Sequence, residues 1–189
     1  MNSIPTLVII TGIQSSGKSF IAQYLSKKLN LPFFSKDIIK EKLFDTLGYK
    51  DRDWSQTLGK GSLAVLFQTT EELLRHQQSL IIESNFKPNL AKIDIENLIK
   101  NIPVKIFQII CFADGQEIYR RFKDRVESGH RHPGHCDDVN IVECKDKLIK
   151  GGKFPIDIKG EKFEIDTTDF SKVNLDQLTL ELQKFIKKQ

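Results

Sequence analysis

The stretch Thr11-Gly12-Ile13-Gln14-Ser15-Ser16-Gly17-Lys18-Ser19-Phe20 decides how the rest of the chain is read. It follows directly on the apolar run Leu7-Val8-Ile9-Ile10 and leads into KSFIAQYLSKKL, a segment of amphipathic helical character. Gly12 to Ser19 fills every fixed position of G-x-x-x-x-G-K-[ST]. Glycines let the main chain turn tightly enough for successive N–H groups to converge on a phosphate, and the following helix turns its positive end toward the same anion. Lys18 then reaches the terminal phosphates, and the Ser19 hydroxyl is a ligand for Mg²⁺. A strand before the loop and a helix after it are the context such a loop requires. Gly12, Ile13, Gln14, Ser15, Ser16, Gly17, Lys18, Ser19 and Phe20 are therefore the expected nucleotide-binding residues.

Outward from this loop, short β-rich apolar runs alternate with helical segments, the pattern of a parallel sheet covered on both faces. Strands are expected at Leu7–Thr11, Pro32–Ser35, Leu80–Ser84, Val104–Phe112 and Lys162–Asp166. Leu63, Leu66, Phe67, Thr70, Leu73 and Leu74 share one helical face. A final helix carries Leu175, Leu178, Leu182 and Phe185, with Asn174 as its N-cap. This predicts a three-layer α/β fold with a five-stranded parallel sheet in one domain of 189 residues. Two polar stretches, Gly48 to Gly61 and Ser128 to Asp138, read as irregular loops. The second falls in a lid expected at about 126–140.

Bulk properties exclude several classes. No apolar run reaches the ~20 residues that span a bilayer, and the apolar N-terminal run reads as a core strand rather than a signal. Three cysteines, Cys111, Cys136 and Cys144, suit a reducing cytoplasm. A net charge of +4 is too mild to predict nucleic-acid binding by itself. Guanine-specific GTPases carry an Asn-Lys-x-Asp element, and no asparagine here precedes lysine. Asp45-Thr46-Leu47-Gly48 fits D-x-x-G but reads as a helix end stopped by Gly48. An AAA-type motor calls for a longer chain with an Asp-Glu pair after its second strand, where this one has Ile82-Glu83-Ser84-Asn85.

Beyond the loop, the chain carries Asp37 in Ser35-Lys36-Asp37-Ile38-Ile39-Lys40, the strand end Glu83-Ser84-Asn85-Phe86, the basic run Tyr119-Arg120-Arg121-Phe122-Lys123-Asp124-Arg125, and Asp166-Thr167-Thr168 after the last strand. In this order, over most of its length, the chain resembles the small P-loop kinases of the polynucleotide kinase, chloramphenicol phosphotransferase and zeta-toxin-like group. The resemblance implies an ATP- and Mg²⁺-dependent transfer of phosphate to a hydroxyl-bearing acceptor. Asp37 would accept or orient the acceptor's proton, although an aspartate there also suits a helix N-cap. Lys40 stands where polynucleotide kinase has a phosphate-gripping arginine, so the charge is kept and the bidentate fork is lost. With Asp37, the residues Lys40, Glu83 and Asn85 are expected to face the acceptor, Glu83 alternatively holding a metal-bound water as a second-strand acid, and Thr167 the adenine.

Ile118, Phe122 and Val126 should face the core, leaving Arg121 and Arg125 on an adjacent exposed face. With Arg131 they are expected to close over the transferring phosphate, alongside Lys18 and Asp37 as the catalytic set. His130, His132, His135 and Cys136 crowd the second loop. Their spacing matches no standard zinc finger, and they are expected to hydrogen-bond across a lid or touch substrate.

Overall fold

The computed structural model describes residues 4–129, 131–138 and 141–188. Five parallel strands, β1 (Thr6–Thr11), β2 (Phe33–Ser35), β3 (Leu80–Glu83), β4 (Lys105–Phe112) and β5 (Glu161–Asp166), form one sheet in the order β2-β3-β1-β4-β5. Every pairing is parallel. Each expected strand is present, with ends shifted by one residue at most. The helices are α1 (Lys18–Leu29), α2 (Lys36–Leu47), α3 (Arg52–Arg75), α4 (Pro88–Ile99), α5 (Gly115–Glu127), α6 (Ile141–Lys150) and α7 (Leu175–Lys187).

The central strand shows why the sheet is sandwiched. Along β1 all six residues are buried, and they alternate between two cores as strand geometry dictates. Leu7 and Ile9 pack with Leu66 and Leu74 of α3 and Ala91 and Ile95 of α4. Val8 and Ile10 pack with Ile21 and Leu25 of α1 and Leu178 and Leu182 of α7. A third cluster, around Ile118, Phe122 and Leu148, joins α5 to α6 and reaches Ile13 in the glycine loop. Asn174 caps α7 by accepting from the Gln177 amide, and Gly48 ends α2 with φ 77°, both as expected.

The first expected loop is not a loop. Most of Gly48 to Gly61 belongs to the 24-residue α3. Asp51 starts that helix, its carboxylate accepting from the Trp54 amide at 2.8 Å, while the Trp54 indole donates to the Gly48 carbonyl at 3.0 Å. The buried face runs Ser55, Leu58, Ser62, Leu66, Thr70, Leu74, a helical spacing hidden by its hydroxyl residues. Ser62 and Thr70 satisfy themselves on the carbonyls of Leu58 and Leu66, one turn back, so small polar side chains can lie in the core without an external partner. In the second loop the described residues 131–138 hold one 3₁₀ turn, Pro133–His135. His130 lies outside the described residues.

Candidate active site

The carboxyl ends of β1, β2 and β3 meet at one mouth of a cleft of about 890 Å³, where open parallel sheets hold their ligands. Its floor is the glycine loop. Gly12 takes φ 150° and Gly17 φ 78°, and Ser15 between them is also left-handed at φ 62°. A Cβ on Gly12 would come 2.2 Å from the Cys111 carbonyl oxygen on β4, so only glycine lets the loop leave β1 this close to its neighbour. Gly17 precedes α1 as its N-cap, with no side chain to cap the helix. The first-turn amides are thereby left for an anion.

The hydroxyls of Ser15 and Ser16 are buried without a partner, and the Lys18 ammonium, also buried, folds back onto the Ile13 carbonyl at 2.7 Å. Burial lowers the pKa of Lys18, opposed by the nearby charge of Glu83. A buried cation and donors awaiting acceptors fit a polyphosphate. Phe20, beyond the loop, is exposed and meets Phe170 edge to face at 5.4 Å.

Register brings the next group together. Ser35 pairs with Glu83 across β2 and β3, and Glu83 Oε2 accepts from the hydroxyls of Ser35 at 2.7 Å and Ser19 at 3.3 Å. Glu83 is only 4% exposed and so is not a solvated strand end. A serine hydroxyl beside a carboxylate is a hard-oxygen set of the kind Mg²⁺ takes, with the nucleotide and water completing its shell. Asn85 follows, exposed on the cleft wall.

Asp37 lies in the first turn of α2, whose N-cap position belongs to Ser35. It is thus not the N-cap, and its carboxylate receives Arg131 instead, Nη2 to Oδ2 at 2.8 Å. Burial alone would raise the Asp37 pKa, but Arg131, with Lys36 and His135, outweighs it and holds the carboxyl far below the usual range. Arg131 also reaches Glu41 and Asp137, each at 3.2 Å. Lys40 is buried, donates to the Ser55 hydroxyl at 2.7 Å and lies over the Phe44 ring. Burial first, then Lys36, lowers its pKa to about 8.

Arg121 and Arg125 of α5 are less exposed than a solvated helix face, unlike Arg120 beside them. Arg121 has a side chain 16% exposed. It pairs with Glu117 at 2.7 Å, donates to the carbonyls of Thr167 and Thr168 at 2.6 and 3.0 Å, and stacks on Phe170. It therefore braces the loop after β5. Thr167, fully buried, donates from its hydroxyl toward the carbonyls of Ser16 and Phe112, which ties that loop to the phosphate loop. Arg125 pairs with Asp137 at 3.2 Å and keeps a buried, unpartnered Nε.

The histidine loop lies against α2. His132 stacks on Phe44 at 5.0 Å, His135 meets the same ring edge-on at 5.5 Å, and Tyr49 packs edge-on against His132 at 5.4 Å. Gly134 lies so flat on the ring that a Cβ there would come within 2.7 Å of it. Among the described residues, no three or more His, Cys, Asp or Glu side chains cluster so as to hold a metal ion. Ser35, Glu41, Ser55, Asp137 and Phe170 are site residues that sequence reasoning missed. Of these only Glu41 had a signal, since it falls one turn after Asp37 on the same helix face.

A glycine loop under one end of a cleft and a carboxylate held ionised at its side, on a parallel sheet of this order, make a P-loop kinase fold. Residues 7–141 match the model of the AAA domain family AAA_33, and the chain belongs to that family. It is 34% identical to a candidate kinase from Chloroflexus aurantiacus j-10-fl, over 97% of this chain and 99% of that one, with a TM-score of 0.90. The fold is shared with a sugar kinase from Janibacter sp. HTCC2649 at 16% identity, TM-score 0.58, covering 96% of this chain and 94% of that one. It is shared as well with the APS kinase of Mycobacterium tuberculosis at 15% identity, TM-score 0.58, covering 98% and 99%. Comparison with curated proteins gave no match. No helix among the described residues is long and apolar enough to cross a membrane.

Proposed function

We propose that the protein is an ATP-dependent phosphotransferase that moves the γ-phosphate of Mg-ATP to a hydroxyl of a small-molecule acceptor. The observation that carries this is the single cleft lined both by Lys18 of the phosphate loop and by Asp37. The loop amides and Lys18 hold the phosphates, Ser19 with Glu83 holds the magnesium, and Thr167 keeps the loop after β5 against the nucleotide end. Magnesium, when bound, offsets charge on the transferring phosphate. Arg121, Arg125 and Arg131 border the same space. Of these three, Arg125 is the one with a buried donor lacking a partner, so it is the arginine most ready to meet new negative charge.

Asp37 is a weak base, because Arg131 holds it so firmly ionised. Phosphoryl transfer passes through a loose transition state and asks more for a well-placed acceptor than for a strong base. Oδ2 is occupied by Arg131, and Oδ1, with the Lys36 ammonium 3.7 Å away and beyond hydrogen-bond reach, accepts a hydrogen bond from the acceptor hydroxyl and aims its oxygen along the line of transfer. Lys40 and Asn85 flank that position.

The acceptor is read as a small molecule because the basic run on α5 spends its charge internally. Arg120 pairs with Glu117 and Asp124, and Lys123 with Glu127. A nucleic-acid backbone would need those cations free. None of the three cysteines is in a disulfide, which supports a cytoplasmic setting.

The test is incubation with γ-labelled ATP, magnesium and a panel of hydroxyl compounds including sugars and a 5′-hydroxyl oligonucleotide. Label should pass to a small acceptor, and Asp37→Asn should lower kcat about a hundredfold with ATP binding retained. Transfer at the wild-type rate in Asp37→Asn would remove Asp37 from the chemistry. Hydrolysis with no acceptor product would favour a nucleotide-dependent binding switch.

A further inference from the structure

The histidine loop contains a buried imidazole to which the proposed mechanism gives no work. His135 has a side chain 5% exposed, and both ring nitrogens are engaged. Nδ1 lies 3.0 Å from Arg131 Nη2, and Nε2 lies 2.9 Å from Glu41 Oε1. A guanidinium can only donate, so Nδ1 must present its lone pair. A carboxylate can only accept, so Nε2 must carry the proton. The two partners together define one neutral tautomer.

We propose that His135 is a positioning residue: as the neutral Nε2–H imidazole it holds the Arg131 guanidinium on Asp37, and its protonation unlatches residues 131–138 from α2. The importance of this for catalysis rests on the kinase function proposed above, through Asp37. The latch itself rests on geometry alone. Protonated, His135 would turn an N–H toward the N–H of Arg131, exchanging a hydrogen bond for a contact between like charges. Arg131 is the hub of the loop's attachment, because its one head group reaches Asp37 and Glu41 of α2 and also holds Asp137 of its own loop. Losing its orientation loosens both pairs to α2 together, leaving as the remaining contacts the two imidazoles on the Phe44 ring and His132 Nε2, 3.4 Å from Asp45 Oδ1.

The charged groups facing His135 come from every side. From α2 they are Glu41, Asp37 and Lys40, and from its own loop Arg131; Asp137, which also pairs with Arg125 of α5, acts through Arg131. From α3, Ser55 acts through Lys40, and the charge of Asp51 reaches neighbouring Cys136. Burial pushes the His135 pKa below its ordinary value, the Glu41 bond works to raise it, and Arg131 lowers it further. A group whose pKa is lower when docked binds its proton better when undocked. Docking is therefore complete above the ordinary imidazole range near pH ~6.5 and is lost progressively as pH falls through that range toward the docked value.

The test uses the full chain uniformly labelled with ¹⁵N, so that histidine rings, arginine Nε–H groups and backbone amides are all followed by NMR through a pH titration. The His135 signals are assigned by their loss in His135→Asn, with His132→Asn as a control. We expect the Nε2–H tautomer at neutral pH. On acidification its protonation should coincide with a shift of the Arg131 Nε–H signal and at least a tenfold fall in the protection factors of the amides at 134–137, taken against the intrinsic exchange rate at each pH. A proton on Nδ1, or an Arg131 signal indifferent to the His135 transition, would overturn the proposal. A second arm reads acceptor-free phosphate release from Mg-ATP, with water as the probe acceptor. In His135→Asn the side-chain amide carbonyl can replace Nδ1 toward Arg131 and cannot be protonated. The wild type should lose kcat on acidification, and that loss should flatten in His135→Asn, while KM for ATP stays the same. Identical pH profiles in the two proteins would count against the latch. Absence of Mg-ATP binding would sink the kinase function and leave the NMR arm to decide the latch alone.

Discussion

The phosphate loop and the histidine loop face each other across one cleft and are built by opposite means. Gly12 to Ser19 is eight consecutive residues acting through main-chain direction, fixed by two positive-φ glycines and one close approach to β4. The histidine loop acts through side chains, and its contacts come from α2, α5 and residues 131–137, up to 94 positions apart in sequence. The first is a matter of spacing, which one sequence displays. The second is a matter of tertiary docking, which it does not.

Breaking each side separately should sharpen that contrast. The largest effect is expected from Lys18→Ala, which removes the buried cation of the phosphate loop. Transfer from ATP should fall by about 10³ in kcat/KM, with amide protection at 131–138 unchanged. Phe44→Ala does the reverse. Deleting a ring only 1% exposed should cost about 3 kcal/mol or more in chemical denaturation and free the histidine loop to exchange, while calorimetry still detects Mg-ATP. Gly134→Ala forces a methyl into the Phe44 ring and should cost about 1–3 kcal/mol by overpacking, read as a lower midpoint in thermal melts. The smallest effect should come from Asp51→Ala, which deletes the N-cap of α3 for about 1 kcal/mol. Should Lys18→Ala release the histidine loop, or Phe44→Ala abolish ATP binding, the two sides would be one cooperative unit.

The sheet was legible because β1, β3 and β4 are near-continuous apolar runs, buried on both faces. The α7 cap was legible because Asn174 immediately precedes a clean helical period. The start of α3 was not, since Ser55 and Ser62 occupy buried positions where a pattern search expects carbon, and Gly59 and Gly61 look like breakers. At the site, Glu83 could be read from its place at the end of an apolar strand. Its partner Ser35 could not, because that contact depends on the register of β2 against β3. Arg121 and Arg125 were legible as a pair four apart on a helix. That Arg121 would stack on Phe170 and bind the carbonyls after β5 depends on how α5 docks on the sheet. The histidines drew notice by density alone, and the partner that gives His135 a tautomer, Glu41, lies 94 residues away.

The chain has a single tryptophan, and its indole is tethered to the Gly48 carbonyl, next to the tyrosine that leans on His132. Excitation at the red edge of protein absorbance would therefore report from one address beside the histidine loop. Fluorescence could time the arrival of a nucleotide or acceptor in a stopped-flow cell with no dye attached.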